Sequence, residues 1–198
     1  MLGAKVLLVG DGAVGKTTLR RKYMGEAFNQ QYLPTFGADL SITHIEVDQN
    51  GESNLLRFAI WDLAGQVSFR KVRKTYYKHT QAIIILYDVT NPQSYENVMG
   101  WLSDIDTHVG LAGVPIALVA NKIDLRLLVE DTIPTDDGTN LAKEIKETFN
   151  PTSLDVPFFE TSALTGERVD DVFGVLGEHI VKVGAFKYTS GEDLDDSE

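Results

Sequence analysis

The chain has no cysteine among its 198 residues. Disulfide bonds, cysteine-based catalysis and cysteine-linked lipids are therefore excluded for this chain, and the composition fits a reducing compartment. Long apolar runs are missing too, since none reaches the ~18 residues of a membrane helix. The first ten residues lack the basic start of a signal peptide. We therefore expect a cytoplasmic protein without a lipid anchor of its own, recruited to membranes, if at all, through partners.

Positive charge is also scarce, because 18 Lys and Arg stand against 29 Asp and Glu, a net charge of −11. A nucleic-acid binder usually carries a basic face, so we expect no nucleic-acid partner. One local basic cluster is interpreted as a solvated helix face: Arg70, Lys71, Arg73, Lys74 and Lys78. None of the four histidines has metal-ligand spacing or a nucleophile beside it, which favours surface or core roles for His44, His79, His108 and His179.

Short apolar runs alternate with longer helical patterns along the chain, which is typical of an α/β fold with a parallel sheet covered on both faces. The apolar runs are Ala4–Gly10, Leu55–Asp62, Ala82–Asp88, Val114–Ala120 and Pro157–Thr161. The helical patterns are Gly15–Met24, Val67–His79, Pro92–Val109, Asp136–Phe149 and Val169–Val183.

A sixth strand is predicted over Asp39–Asp48, where apolar and polar residues alternate. The Asn50-Gly51 dipeptide after it marks a hairpin, so this strand should be antiparallel to the next. The sequence therefore predicts a six-stranded, mostly parallel sheet with one antiparallel strand. We expect one domain over residues 1–185, since chains divide mainly above ~250 residues, and an acidic flexible tail over 186–198.

The segment Gly10–Thr17 fits the phosphate-loop pattern G-x-x-x-x-G-K-[ST], between a strand and a helix. Glycines let several backbone N–H groups wrap closely around a phosphate, and the helix N-terminus adds positive potential. Lys16 should reach the β- and γ-phosphates, and the Thr17 hydroxyl should ligate Mg²⁺. This pattern alone does not separate GTPases from ATPases or small-molecule kinases.

Two further motifs narrow the choice. Asp62 ends the third strand, where a carboxylate suits Mg²⁺, while Gly65 can approach a γ-phosphate and Gln66 can orient a water. Asn121-Lys122-Ile123-Asp124 follows the fifth strand, and the Asp124 carboxylate can accept two hydrogen bonds from guanine that adenine cannot donate. The Lys122 stem can lie along the base, Asn121 can tie the loops together, and the Ala163 N–H is placed to bond a base carbonyl.

With these stretches together, the chain resembles a Ras-superfamily small GTPase of the P-loop NTPase fold, most like the Rab branch, over roughly residues 4–183. The resemblance implies Thr35 as the first switch threonine, which ligates Mg²⁺ in the GTP state, Phe28 against the guanine, and Tyr32 over the phosphates. It implies catalytic roles for Lys16, Thr35 and Gln66, and metal ligation by Thr17, Thr35 and Asp62. The predicted nucleotide contacts are Asp11, Gly12, Ala13, Val14, Gly15, Lys16, Thr17, Thr18, Phe28, Tyr32, Thr35, Gly65, Asn121, Lys122, Asp124, Ser162, Ala163 and Leu164.

The resemblance implies GTP and GDP as ligands, a monomer, and effector, GTPase-activating and exchange proteins as partners. The chain departs from the family in three ways. It has no C-terminal cysteine, and Val67 stands where the family usually has an acidic residue. The segment from Leu125 to Ser162, at 38 residues, is longer than expected for the family. The extra length is interpreted as surface loop around Leu127–Pro134 and Asn150–Val156. Asn29 to Leu40 holds no Arg or Lys, and Arg70 and Arg73 are expected to point to solvent, which predicts slow hydrolysis.

Two other functions remain open at this point. A GTP-locked binding scaffold with negligible turnover is disfavoured by the intact Gly12 and Gln66. A P-loop kinase of a small molecule is disfavoured by Asn121–Asp124 and Asp62–Gln66. The aromatics Phe69, Tyr76 and Tyr77 are candidates for a partner surface, with core packing equally expected for at least one of them.

Overall fold

The computed structural model describes residues 2–26, 35–49, 51–150 and 155–188. Phe28 and Tyr32 of the predicted nucleotide site lie outside these ranges. So do part of the predicted Asn150–Val156 elaboration, most of the predicted tail and the side chain of Val67. No helix in the described ranges is long and apolar enough to span a membrane.

Six strands form the sheet that the alternating pattern predicts, in the order β2-β3-β1-β4-β5-β6. Their bounds are β1 Leu2–Val9, β2 Ala38–Gln49, β3 Glu52–Leu63, β4 Ala82–Asp88, β5 Ile116–Asn121 and β6 Phe158–Thr161. All neighbours run parallel except β2 and β3, which form the predicted antiparallel hairpin. The predicted fold class is thus confirmed. A two-residue strand, β7 Lys187–Tyr188, additionally pairs with Leu2 and Gly3, so the sheet extends past residue 185.

The described ranges contain six α-helices. Their bounds are α1 Lys16–Tyr23, α2 Arg70–Arg73, α3 Pro92–Glu96, α4 Val98–Val109, α5 Thr135–Phe149 and α6 Val169–Val183. Short 3₁₀ turns cover Val67–Phe69, Lys74–Tyr76 and Ile123–Leu125.

Two predicted helices differ from those observed. The pattern over Pro92–Val109 is divided at Asn97, a turn residue between α3 and α4 with a ψ of −11°. Its N–H still bonds the Gln93 carbonyl, and its own carbonyl accepts from the Trp101 N–H. The pattern over Val67–His79 gives only a short α2 between 3₁₀ turns, and the helical turns end at Tyr76. His79 has a φ of 61°, a left-handed conformation that a right-handed helix cannot contain.

Strict alternation along the central strands divides the core into two. Side chains such as Val6, Leu8 and Ile84 face α1 and α6, while Leu7, Val9 and Ile85 face α4 and α5. Because neighbouring strands are parallel, β1, β3, β4 and β5 all end at one edge of the sheet. Ligands of open α/β sheets bind at that edge, so a ligand site is expected in the loops there.

The predictions for the histidines, the aromatics, the extra loop and the basic cluster are confirmed in part by the exposure of the side chains. His44, His79 and His108 are exposed and His179 is half-buried, while Tyr77 is fully buried and Phe69 and Tyr76 are half-buried. The loop after Ile123–Leu125 exposes Leu127 and Leu128, by 97% and 79%, as a surface elaboration would. The basic cluster is not uniformly solvated, because Arg73 is only 5% exposed.

Candidate functional site

The loop between β1 and α1 is built for close approach. Gly15 has a φ of 100°, and a Cβ there would come 2.2 Å from Nδ2 of Asn121. Ala13 also has a left-handed φ, of 65°, although it carries a side chain. Left-handed residues within such a loop turn successive N–H groups to a common concave side, which is how backbone binds anions.

Lys16 opens α1 and lies beneath this loop. Its side chain is buried, and Nζ donates to the carbonyls of Gly10 at 2.8 Å and Asp11 at 2.7 Å. Burial lowers the pKa of Lys16 to about 8, against the opposing pull of Asp62 and Asp11. The loop thus holds a buried ammonium group at the start of a helix, and an anion beside it would favour its charged form.

Thr17, Thr35 and Asp62, the predicted metal ligands, lie together. Thr17 Oγ1 is 3.0 Å from Thr35 Oγ1 and donates to Asp62 Oδ2 at 2.5 Å. The other oxygen of this fully buried carboxylate, Oδ1, has no hydrogen-bond partner among the described residues. Burial raises the pKa of Asp62, an effect that the Thr17 hydrogen bond and the charges of Lys16 and Arg20 oppose.

These three side chains suit Mg²⁺ that is also bound by waters and phosphates better than a metal ion that is bound by protein side chains alone. The described residues contain no group of three or more His, Asp or Glu side chains that could hold a metal. Mg²⁺, however, commonly takes one or two carboxylates and completes its shell with waters and substrate phosphates. Two hydroxyls and one buried carboxylate oxygen without a partner suit that mode.

Gln66 follows β3 and faces the phosphate loop. A Cβ on Gly12 would lie 3.7 Å from its Cγ, and its Oε1 is buried without a partner in the described ranges. Gly65 packs directly on the loop, since a Cβ there would come within 2.3 Å of the Asp11 carbonyl carbon and 2.4 Å of the Gly12 nitrogen. Gly65 is therefore confined to glycine by contact with the loop backbone.

Asn121, at the end of β5, joins three loops. Its Nδ2 donates to the Val14 carbonyl at 2.8 Å, and its Oδ1 accepts from Thr161 Oγ1 and the Ala163 N–H, both at 3.0 Å. The predicted bond from Ala163 to a base would have to be shared with Asn121.

The rest of the predicted base site adjoins Asn121. Asp124 is half-buried and its Oδ1 has no partner among the described residues. Lys122 has a φ of 69° and its Nζ lies 2.6 Å from Asp88 Oδ2. Ser162 is buried and caps its own turn by accepting from the Thr165 N–H, whereas Leu164 is 49% exposed. Thr18 is half-buried on α1.

Two charged residues of this edge had no predicted role. Asp88 ends β4 and orients Lys122, as its position at the carboxyl end of a strand could have indicated. Arg20 is 4% exposed, pairs with Asp39 at 2.8 Å and lies 3.9 Å from Asp62. The helical pattern of α1 gives no sign that an arginine points inward, because its partners come from β2 and β3.

The expectation that Arg73 points to solvent is wrong. Its guanidinium is buried and donates to the carbonyls of Ala64 and Gln66, while Arg70 does lie at the surface, 62% exposed beside Asp104. Besides the nearby Tyr77 side chain, the partners of Arg73 are backbone oxygens and the Trp101 ring, 28 residues away in sequence. No local pattern in the sequence predicts such partners.

Comparisons with known proteins agree with this geometry. A sequence model of the Ras family matches residues 5–182. The Ras-related protein Rab-13 from Rattus norvegicus is 33% identical over 177 residues, which cover 89% of this chain and 79% of that protein.

Proposed function

This chain belongs to the Ras family, whose members act as small GTPase switches, and we propose that it binds GTP and GDP with Mg²⁺ and hydrolyses GTP. The observation that carries the proposal is that three of the four buried side-chain oxygens without partners among the described residues lie at the predicted site. They are Asp62 Oδ1, Gln66 Oε1 and Asp124 Oδ1, one each in the predicted metal, water and base positions. Buried polar atoms are normally hydrogen-bonded, so unpaired ones on one edge of a sheet favour a ligand site.

The mechanism relies on positioning and charge more than on covalent chemistry. Lys16, already in the loop, would hold charge developing on the β- and γ-phosphate oxygens, and the loop N–H groups would share it. Gln66 would accept a hydrogen bond from the attacking water through Oε1 and donate one through its amide nitrogen. Thr17, Thr35 and Asp62 would hold Mg²⁺, which supplies positive charge to the transferring phosphoryl group when bound.

Contacts between the loops suit a switch. The Ala64 N–H donates to the Gly37 carbonyl at 2.9 Å, and the Phe36 and Phe69 rings meet edge to face at 6.0 Å. Thr35 and Gly65 are the two proposed γ-phosphate contacts. The segments that carry them therefore contact each other through Phe36 and Gly37 on one side and Ala64 and Phe69 on the other. Loss of the γ-phosphate would release both segments together, an order-to-disorder change read by partners.

Two measurements test this function. Thermal unfolding with GTP, GDP and ATP in Mg²⁺ should show a rise in Tm for the guanine nucleotides only, because binding to the native state stabilises it. Single-turnover hydrolysis then separates a GTPase from a GTP-locked scaffold. Equal stabilisation by ATP would contradict the base assignment, and GTP that stays intact on the protein for days would favour the scaffold.

We propose effector, activating and exchange proteins as partners of a monomeric domain, in membrane trafficking or signalling from the cytoplasm. An exposed apolar surface lies beside the loops that carry Thr35 and Gly65, and it supports a partner site. Phe36 is 78%, Val72 44% and Leu40 42% exposed. Capture of partners by protein loaded with a non-hydrolysable GTP analogue, but not with GDP, is the expected result. Equal capture in both states would contradict a switch.

A further inference from the structure

Arg73 lies behind the loop that carries Gly65 and Gln66. One nitrogen of its guanidinium, Nη1, donates to the carbonyl of Ala64 at 3.0 Å and to that of Gln66 at 2.6 Å. These carbonyls flank Gly65 on both sides. Among the described residues Arg73 has no carboxylate within ion-pair distance. A buried cation is costly to desolvate, so its use on two backbone oxygens calls for an explanation.

The opposite face of Arg73 rests on α4. Its guanidinium carbon lies 4.1 Å from the centroid of the Trp101 ring, within cation–π range. Trp101 Nε1 in turn donates to Asp11 Oδ1 at 2.7 Å, and Asn97 Nδ2 donates to Asp11 Oδ2 at 2.7 Å. One oxygen of the phosphate-loop carboxylate is thus held by Trp101 of α4, and the other by Asn97 at the junction of α3 and α4.

These contacts close into a ring, because Gly65 packs on the backbone of Asp11 and Gly12. The ring runs from the Asp11 carboxylate through Trp101 and Arg73 to the carbonyls around Gly65, and back to the Asp11 backbone. Every joint is a hydrogen bond, a ring contact or backbone packing with a fixed geometry. Moving Arg73 would leave the Gly65–Gln66 segment free to shift relative to the phosphate loop.

We propose that Arg73 is a positioning residue for GTP hydrolysis, which fixes the backbone around Gly65 and thereby the place of the Gln66 side chain. The inference rests on the proposed function and deepens it. Arg73 acts through Gln66 and touches neither nucleotide nor water. A misplacement of ~1 Å can cost on the order of 10²-fold in rate, so a brace of this kind can matter as much as the residue that it holds.

The test is single-turnover hydrolysis by protein loaded with Mg²⁺ and GTP. Arg73→Ala should slow hydrolysis on the order of 10- to 100-fold, by the same positioning argument. Arg73→Lys keeps a donor and the charge but loses the planar contact with Trp101, and should give an intermediate rate. Arg70→Ala is the matched control, since Arg70 is exposed and pairs with Asp104, and its rate should stay near that of the parent.

A second arm separates positioning from general loosening of the fold. If Arg73 works through Gln66, adding Arg73→Ala to Gln66→Leu should slow hydrolysis no further than Gln66→Leu alone. GDP affinity should change little in either single variant, because Arg73 lies away from the predicted base contacts. Simple destabilisation of the fold would change both the GDP affinity and the hydrolysis rate. A positioning effect of Arg73 should change the hydrolysis rate alone.

Two outcomes would overturn the proposal: an Arg73→Ala rate equal to that of the parent, or a full additional loss in the Gln66→Leu background. If Arg73→Ala does not fold, the same cycle with Arg73→Lys decides. Failure of the proposed function looks different, because the parent itself would then fail to bind or hydrolyse GTP.

Discussion

At the scale of single residues, the proposed function assigns separate parts of nucleotide recognition to separate side chains. We propose that base selectivity depends on Asp124, whose Oδ1 is buried and without a partner in the described ranges. An amide in the same place would offer guanine one acceptor and one donor in place of two acceptors. The geometry of the loop would be kept, since Asn121 and not Asp124 ties the neighbouring strands together.

We therefore expect Asp124→Asn to weaken GTP binding and to shift preference toward xanthine nucleotides. Loss of a hydrogen bond to a charged group costs ~1.5–3 kcal/mol, so a loss of roughly 10- to 100-fold in GTP affinity is expected. Competition between GTP and XTP for the loaded site measures it. A variant that still binds GTP like the parent would show that the base lies elsewhere.

Thr17 is the corresponding residue for the metal, because its hydroxyl contacts both Thr35 and Asp62. Thr17→Asn replaces the hydroxyl by a longer amide that cannot keep this geometry. Binding of GTP in Mg²⁺ should weaken more than binding of GDP, since we propose that Thr35 joins the metal only in the GTP state. Titrations with both nucleotides, with and without Mg²⁺, measure the difference. Equal losses for GTP and GDP would count against the hydroxyl as a metal ligand.

At the scale of elements, the packing of α6 on β2 shows how glycines divide between two roles. A Cβ on Gly177 would come 2.2 Å from Ile45 Cδ1 and 3.2 Å from Val47 Cγ1. A Cβ on Gly174, one turn earlier on the same helix, would meet nothing within 4 Å. Gly177 is thus required by close packing, while Gly174 has no such contact.

Gly177→Ala should destabilise the fold by ~1–3 kcal/mol, the usual cost of an overpacked contact. Gly174→Ala is its control and should stabilise by ~0.5–1 kcal/mol, since alanine favours an exposed helix interior. Urea denaturation of the two variants gives both free energies. If Gly177→Ala were as stable as Gly174→Ala, Ile45 would have to move away at no cost.

Elements were predictable where the sequence carries a period, and less so where a distant contact decides. The alternation over Asp39–Asp48 and the Asn50-Gly51 turn predicted the β2–β3 hairpin, and the apolar runs predicted the other strands to within about three residues. The turn at Asn97 was not predicted, and the Asn97 side chain donates to Asp11, a partner far away in sequence. The phosphate and base motifs are local and were found, whereas the partners of Arg20 and Arg73 are not local.

For the whole molecule, the binding edge lies where the two cores meet the carboxyl ends of the central strands. The loops there are joined to one another more than to the solvent: Asn121 links the phosphate loop to the loop after β6, and α4 links the phosphate loop to Gln66. Such cross-links let a change at one phosphate reach several surface segments. The arginines near the site are likewise engaged by structural partners: Arg20 pairs with Asp39, and Arg73 donates to the carbonyls of Ala64 and Gln66.

The engagement of these arginines by other residues affects the expected rate of hydrolysis. An arginine near the transferred phosphoryl group is worth ~10³–10⁵ in rate. Residues 27–34 contain no Arg or Lys. Arg20 is paired with Asp39, Arg70 with Asp104, and Arg73 holds the carbonyls around Gly65. Arg20 and Arg73 cannot reach a phosphate without breaking contacts that hold the site, and Arg70 is engaged by Asp104 at the surface.

We therefore expect slow intrinsic hydrolysis, on the order of 10⁻⁴ to 10⁻² s⁻¹, with the missing cation supplied by an activating protein. Gln66→Leu should lower this rate further while leaving nucleotide affinity nearly unchanged, because Gln66 acts on the water and not on bound GTP. Single-turnover hydrolysis by parent and variant measures both effects. A parent rate near 1 s⁻¹ without any partner would refute the argument from committed arginines, because some cation would then already reach the phosphoryl group. An unchanged rate in Gln66→Leu would refute the role of Gln66, and with it the reason for Arg73 to hold that loop.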